Sequence, residues 1–470
     1  MTASTGPSRE VSTGIFGWLA YVGATIANVP AEYRARLRKK PARTVVTTAV
    51  VLLVLAYPLV NRYVLAPFSL GVFPLPVPDD TVSTFMMIFA IMAVGLNIVA
   101  GFAGLLDLGY VAFYAIGAYI AAFLSSPHLA AFGINIHFLN SVAGNVGGVH
   151  LPFWIIVPVG VLVVATFGVL LGAPTLRLRG DYLAIVTLGF GEIVPLVFKN
   201  LANVTLSWHL GPIDLDLAGS NLTGGVQGIN PVDPAVLPFL NIRFDARAGF
   251  LPVYLGMALL AVTVLIARNL QYSRIGRAWI AIREDELAAE MMGVNAVRTK
   301  LLAFGLGASF AGVAGALQAS YLGATTSDFF DFSISIVVLI MIILGGIGNI
   351  WGVIVGAIAL QYVDKTLLPY LSQNMPAGLP NPQQYNFLIF GVVLLLMMRF
   401  RPQGFLPSRQ REAEFAIVNV DAAEAVAAVP IDEETGQIIE LENLELAPPG
   451  QDEVGHDARS AETTHEASDL

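Results

Sequence analysis

Stretches of about 20 almost uniformly apolar residues recur along most of this 470-residue chain, divided by short polar joints. A helix rising 1.5 Å per residue needs roughly 20 such residues to cross a hydrocarbon core about 30 Å thick. Ten runs have that character, near 44–64, 82–101, 104–124, 152–173, 182–201, 250–268, 301–322, 332–346, 350–369 and 385–400. Only 13% of residues are charged, against about 25% in a soluble domain. The expected fold is all-α: a polytopic integral membrane helical bundle of about ten transmembrane helices. The 332–346 run is short and ends in Gly-Gly-Ile-Gly, so it and its successor form a tight hairpin or a broken, re-entrant pair. An eleventh apolar stretch, 14–29, reads as an interfacial helix.

The net charge of −9 belongs to a tail. Residues 411–470 hold 16 acids against Arg411 and Arg459, while the rest of the chain has 18 acids and 23 bases. Rich in Glu, Ala and Pro and poor in aromatics, 405–470 reads as a mostly disordered extension. Lys and Arg in the loops set orientation. With the N-terminus inside, the inner segments hold 19 bases and the outer ones five, namely Arg62, Lys199, Arg243, Arg247 and Lys365. Both termini are therefore expected in the cytoplasm. The expected organisation is a cytoplasmic or interfacial segment 1–43 and a transmembrane domain 44–404, followed by the tail. The domain carries a cytoplasmic loop at 270–300 and outer loops at 125–151 and 202–249.

One segment breaks the apolar pattern. SRIGRAWIAIREDELAAEMMGVN, 273–295, carries Arg274, Arg277, Arg283, Glu284, Asp285, Glu286 and Glu290. At about 2.5–3.5 kcal/mol per charge at a helix centre it cannot span a bilayer. It is rich in helix formers and lacks proline, so a helix over 276–293 is expected. Ala278, Ala281, Ile282, Asp285, Ala288, Ala289 and Met292 share a narrow, mostly small-residue face. Such a face suits either a solvated linker or close docking in a partner's groove. Glu284, Asp285 and Glu286 suit the first turn of a helix, and Gly293 suits the position just past one.

Several chemistries are missing. No G-x-x-x-x-G-K-[ST] occurs, so no P-loop holds a nucleotide here. The six histidines lack metal-ligand spacing, and nothing points to nucleic acid. An enzyme is not expected. Ionisable residues within membrane spans are functional candidates by default. Glu192 lies well inside the fifth run, Asp107 at the turn between the second and third, and Asp181 at the inner interface beside Arg177 and Arg179. Gly189, Gly191 and Pro195 surround Glu192; they serve helix packing or break the helix to expose backbone for a solute. Asn221, Thr223, Gly224 and Gly225 in NLTGGVQGIN read as a tight turn near the outer mouth. The pair AGFAGLLDLG and AGVAGALQAS hints at a duplicated plan, so inverted repeats are expected.

Taken together, GLLDLGYVAFYAIGAY (104–119), RGDYLAIVTLGFGEIV (179–194), NLTGG-x-x-GI (221–229), IGRAWIAIREDELAA (275–289), SFAGVAGAL (309–317), LGGIGNIWG (344–352) and RPQG (401–404) resemble one family. It is the M-type permease subunit of branched-chain amino acid ABC importers, and the resemblance covers about 85–404. It implies a bacterial inner-membrane subunit paired with a homologous H-type permease, two cytoplasmic ATPase subunits and a periplasmic binding protein. ATP and magnesium would be bound by the partners, with no cofactor in this chain. The family's coupling motif falls on Gly276, Arg277, Ala278, Ile282, Arg283, Glu284, Asp285, Glu286, Ala288, Ala289 and Gly293. The broader importer pattern E-A-A-x-x-x-G is only partly met, because Leu287 separates Glu286 from the alanines. Val226 stands where the family's NLTGG is followed by Pro. The translocation pathway is assigned to Asp107, Asp181, Gly189, Gly191 and Glu192. The rival is a proton-coupled secondary transporter of amino acids using Glu192.

Overall fold

The computed structural model describes residues 55–61, 63, 76–132, 134–137, 147–176, 181–202, 207–210, 213–216, 221–237, 242–375, 381–401 and 404–406. The segment 1–43, the interfacial stretch 14–29, most of the 44–64 run, Arg177, Arg179 and the acidic tail lie outside the described residues. What is described is a helical bundle. Its principal helices are α1 (Asp80–Leu96, continuing as a π turn Asn97–Phe102), α2 (Tyr110–Leu124), α3 (Phe153–Thr175), α4 (Asp181–Asn200) and α5 (Leu251–Gln271). Two short helices follow, α6 (Arg274–Glu284) and α7 (Glu286–Met291). Then come α8 (Ala296–Leu322), α9 (Phe332–Gly345), α10 (Ile350–Tyr362), α11 (Leu368–Asn374) and α12 (Asn386–Phe400). A π segment, Val363–Leu367, joins α10 to α11 in one continuous rod. Eight of the described helical runs are long and apolar enough to cross a membrane. α2, with 15 residues, is a shorter apolar helix.

The core lies around α1 and α8, which are buried on most sides. α8 packs along α2, α3 and α1, and α1 packs on α10 and α5. Small residues make this possible, since without a hydrophobic force in lipid, membrane helices associate by close backbone approach. At the α2–α8 crossing, a Cβ added to Gly117 would stand 2.5 Å from the Gly312 Cα. α12 and the outer face of α3 are the opposite case, with exposed side chains such as Leu162, Leu170, Leu388 and Leu395.

Local signals fix the ends. The Asp79 carboxylate accepts from the Val82 amide at 2.6 Å and starts α1. Asn295 caps α8, which stops at Gly323, where φ is +69°. Gly346–Asn349 makes a tight turn, so α9 and α10 form a packed helical hairpin. The joints 125–151 and 202–249 contain short strands. β1 (Ser125–Ser126) and β2 (Ile136–His137) both pair with β3 (Val149–His150); β4 (Ser207–Leu210) pairs with β5 (Ile213–Asp216), and β6 (Val236–Leu237) with β7 (Ile242–Arg243).

Two boundaries differ from the sequence expectation. The run at 104–124 becomes helical only at Tyr110, because Gly104 takes φ +69° and residues 103–109 form a loop, with Ala103, Leu105, Asp107 and Gly109 buried and Gly104 and Leu106 exposed. The helix interruption considered around Glu192 does not occur: α4 runs unbroken through Gly189, Gly191 and Pro195.

Candidate functional site

The interrupted element is the link from α1 to α2. A helix that starts inside a bundle leaves amide groups without partners, and each needs one. Here side chains from three elements supply them. The Gly109 amide donates to Asp107 Oδ1 at 2.9 Å, that of Leu108 to Thr187 Oγ1 at 3.1 Å, and that of Val111 to Ser335 Oγ at 2.9 Å. Tyr110 Oη donates to the Gly307 carbonyl at 2.8 Å. Asp107 is buried, and its Oδ2 has no hydrogen-bond partner among the described residues. It borders a small cavity that Thr175, Thr187, Phe190 and Phe304 also line. Gly191 lies against Gly109 on the same side of α4. Asp107, Gly191 and Thr187 are thus brought together at the inner face of α4. Asp181 opens that helix.

Glu192 is elsewhere. It stands roughly 16 Å along α4, exposed, on a face shared with Ile185, Gly189, Leu196 and Lys199. A carboxylate facing hydrocarbon at that depth costs about 2.5–3.5 kcal/mol on insertion scales. Where α4 ends, the Thr223 hydroxyl donates to the Phe198 carbonyl at 2.5 Å, and Asn221 Oδ1 accepts from the Gly224 amide at 2.7 Å. Gly224 and Gly225 adopt φ of +73° and +56°, the tight turn expected from the sequence. Ile229 then pairs with Thr325, latching this loop to the end of α8. Val226 is exposed.

The charged segment 273–295 joins α5 to α8. It is two helices, not the single one expected. Ser273 caps α6 by accepting from the Gly276 amide at 3.1 Å. Asp285 leaves helical geometry (φ −152°, ψ 110°) and closes α6, and its Oδ1 caps α7 by accepting from the Ala288 amide at 2.9 Å. An aspartate is a strong N-cap, so a second helix starts where the first could have continued. Glu286 sits in the first turn of α7 and pairs with Lys300; Glu284 ends α6 instead. Gly293 (φ +86°) follows α7, with its amide on the Glu290 carbonyl and that of Val294 on Ala289, a Schellman closure.

This break divides the segment into an inner and an outer surface. Gly276, Trp279, Ile282 and Ala289 face inward. Trp279 Nε1 donates to the Thr299 carbonyl at 2.7 Å, while Ile282 and Ala289 pack with Ala296. Gly276 lies so close to the Leu270 and Gln271 carbonyls that no side chain fits. Arg283 bridges to the bundle, its Nη1 donating to the Gly101 carbonyl at 3.0 Å and its stem lying against Gly104. Arg277 donates to the Tyr272 carbonyl at 3.1 Å and is exposed, as are Asp285, Ala288 and Glu290; Ala278 is half-buried. The small-residue face is therefore split, with Ile282 and Ala289 turned in and Ala281, Ala288 and Met292 turned out. Leu287, Met291 and Met292 form an exposed apolar rim beside those acids. Sequence reasoning passed over Leu287 and Met291, although their i, i+4 spacing in a charged segment was the available signal.

Residues 80–398 match the family described as branched-chain amino acid transport system / permease component. The chain is 38% identical over 334 residues to the high-affinity branched-chain amino acid transport system permease protein LivM of Salmonella typhimurium, covering 69% of each chain. It is 36% identical to LivM of Escherichia coli, again over 69% of each. The permease protein LivH of Escherichia coli is 24% identical over 68% of this chain and 91% of its own length. No solved structure matches.

Proposed function

The chain belongs to the permease-component family of branched-chain amino acid transport systems, and we propose from that premise how it works. It is a polytopic subunit of the bacterial inner membrane, part of an ABC-type importer of branched-chain amino acids, energised by separate ATPase subunits. It is not an enzyme. The observation that carries the coupling assignment is the outer surface of α6 and α7. It presents Leu287, Met291 and Met292 among charged side chains, on a segment too polar to enter the bilayer.

The N- and C-termini and the α6–α7 segment face the cytoplasm, where the rim docks into one of two ATPase subunits. Arg283 carries motion of that segment to the link 101–109, and Leu108 and Gly109 carry it on to α4. A homologous H-type permease subunit completes the membrane portion; LivH-type relatives of this chain support such a pairing. Inverted repeats relate the halves of the bundle, and rocking between subunits gives alternating access. A periplasmic binding protein delivers the amino acid at the Asn221–Gly225 loop. Nucleic acid has no part in it. Membership in the family leaves the proton-driven alternative without support.

Proteoliposomes test this. With the second permease, ATPases and binding protein, leucine uptake should require ATP inside the ATPase-accessible compartment. Uptake by this chain alone, driven by a pH gradient, would overturn the reading.

A further inference from the structure

We propose that the face of α4 bearing Ile185, Gly189, Glu192 and Leu196 lines a water-filled route between this subunit and its permease partner, and that Glu192 receives the α-ammonium of the amino acid in transit. This rests on the importer reading and assigns a substrate subsite within it.

Four observations lead there. First, the face is open: Ile185, Glu192, Ile193 and Leu196 are exposed, while Leu183, Ala184, Thr187 and Gly191 form the buried side of the same helix. Second, a carboxylate stands in the middle of that face with no ion-pair or hydrogen-bond partner among the described residues. The other charge on the stripe, Lys199, is 3.6 Å from Asp328. Two other exposed faces of the bundle lack such a charge. α3 carries no charged residue, and α12 carries none before Arg399. Hydrocarbon is thus the wrong cover for Glu192, whereas water and a cationic group are the right one. Third, a Cβ added to Gly189 would meet nothing within 4 Å, as at Gly160 on α3 and Gly391 on α12, but of these three only Gly189 has a carboxylate one turn away. The glycine therefore leaves a notch one helical turn from the carboxylate, where a ligand's main-chain atoms can approach. Fourth, Ile185 lies one turn before that notch and Leu196 one turn past Glu192, so apolar surface suited to an aliphatic side chain adjoins both. Acid, notch and apolar surface match the ammonium, Cα and side chain of a branched-chain amino acid.

The chain contains no cysteine, so single thiols report cleanly. Gly189→Cys, Leu196→Cys and the α12 control Leu395→Cys are each assembled with the partner permease, ATPases and binding protein. They are then treated with a charged, membrane-impermeant methanethiosulfonate, and modification of this subunit is followed. The α4 thiols should react and the α12 thiol should not, and leucine in transit should protect Gly189→Cys. Equal reactivity at all three positions, or none at either α4 position, would overturn the route. For the carboxylate, Glu192→Gln should lower leucine carried per ATP hydrolysed by about tenfold or more, the worth of one charge-assisted hydrogen bond. Glu192→Asp should recover part of the loss. An unchanged ratio in Glu192→Gln overturns the ammonium role. If the unmodified assembly carries no leucine, the importer reading fails, while the contrast between α4 and α12 still decides whether the face is wet.

Discussion

Replacing Leu287, Met291 and Met292 together by Ala should detach the ATPase without damaging this subunit. The magnitude follows from their exposure, which is 65%, 78% and 86%. Because they touch little of their own chain, each substitution should change stability by no more than about 0.5 kcal/mol. Burying a whole Leu or Met side chain is worth about 1.5–3 kcal/mol. Scaled by the exposed share, and allowing for the Cβ that Ala retains, each contributes about 1–2 kcal/mol on docking, or roughly 3–6 for all three. Interface area converts to affinity incompletely, so about half of that is a sound expectation. A loss of about 1.5–3 kcal/mol is roughly 10- to 150-fold in Kd. The assay is titration of labelled ATPase subunit onto the detergent-solubilised permease pair, beside the melting temperature of each variant. Ile282→Ala serves as a contrast, since Ile282 is buried against Ala289 and Ala296 and should lower melting first. Unchanged ATPase affinity in the triple variant would refute the docking surface. So would a loss of affinity that merely tracks a fall in melting temperature.

Other predictions concern the bundle. Arg283→Ala removes the donor to the Gly101 carbonyl, worth about 1.5–3 kcal/mol for a charged hydrogen bond. It should leave ATPase binding near normal while lowering uptake per ATP, as measured in proteoliposomes. Gly117→Val places a side chain against the Gly312 backbone, 2.5 Å away at its Cβ. It should destabilise the α2–α8 crossing by about 1–3 kcal/mol, read as a lower melting temperature. Ser335→Ala leaves the Val111 amide at the start of α2 without its acceptor. A buried, unpaired amide costs about 1–3 kcal/mol, and hydrogen exchange at the first turn of α2 should accelerate.

Composition and periodicity settled the class of this protein. Apolar runs of membrane length can satisfy their backbones only internally, so helices follow from length and hydropathy alone. Nine of the ten runs coincide with described helices, and the tenth lies mostly outside the described residues. Short-range chemistry was legible too. The turn at Gly224 and Gly225 and the Gly293 closure depend on neighbours a few residues apart. What sequence could not supply was the side on which each residue falls. Asp285 can continue a helix or cap a new one, and the choice decides that Ile282 and Ala289 turn inward while Leu287 and Met291 turn outward. Asp107 and Glu192 were both candidates in sequence, one at a turn between apolar runs and the other inside a run, but neither position says whether the acid is sealed or open. Tertiary packing separates them, sealing one among Thr187, Phe190 and Phe304 and leaving the other on an open face. The difference arises because burial is set by contacts between residues far apart in the chain, and hydropathy along the chain does not encode them.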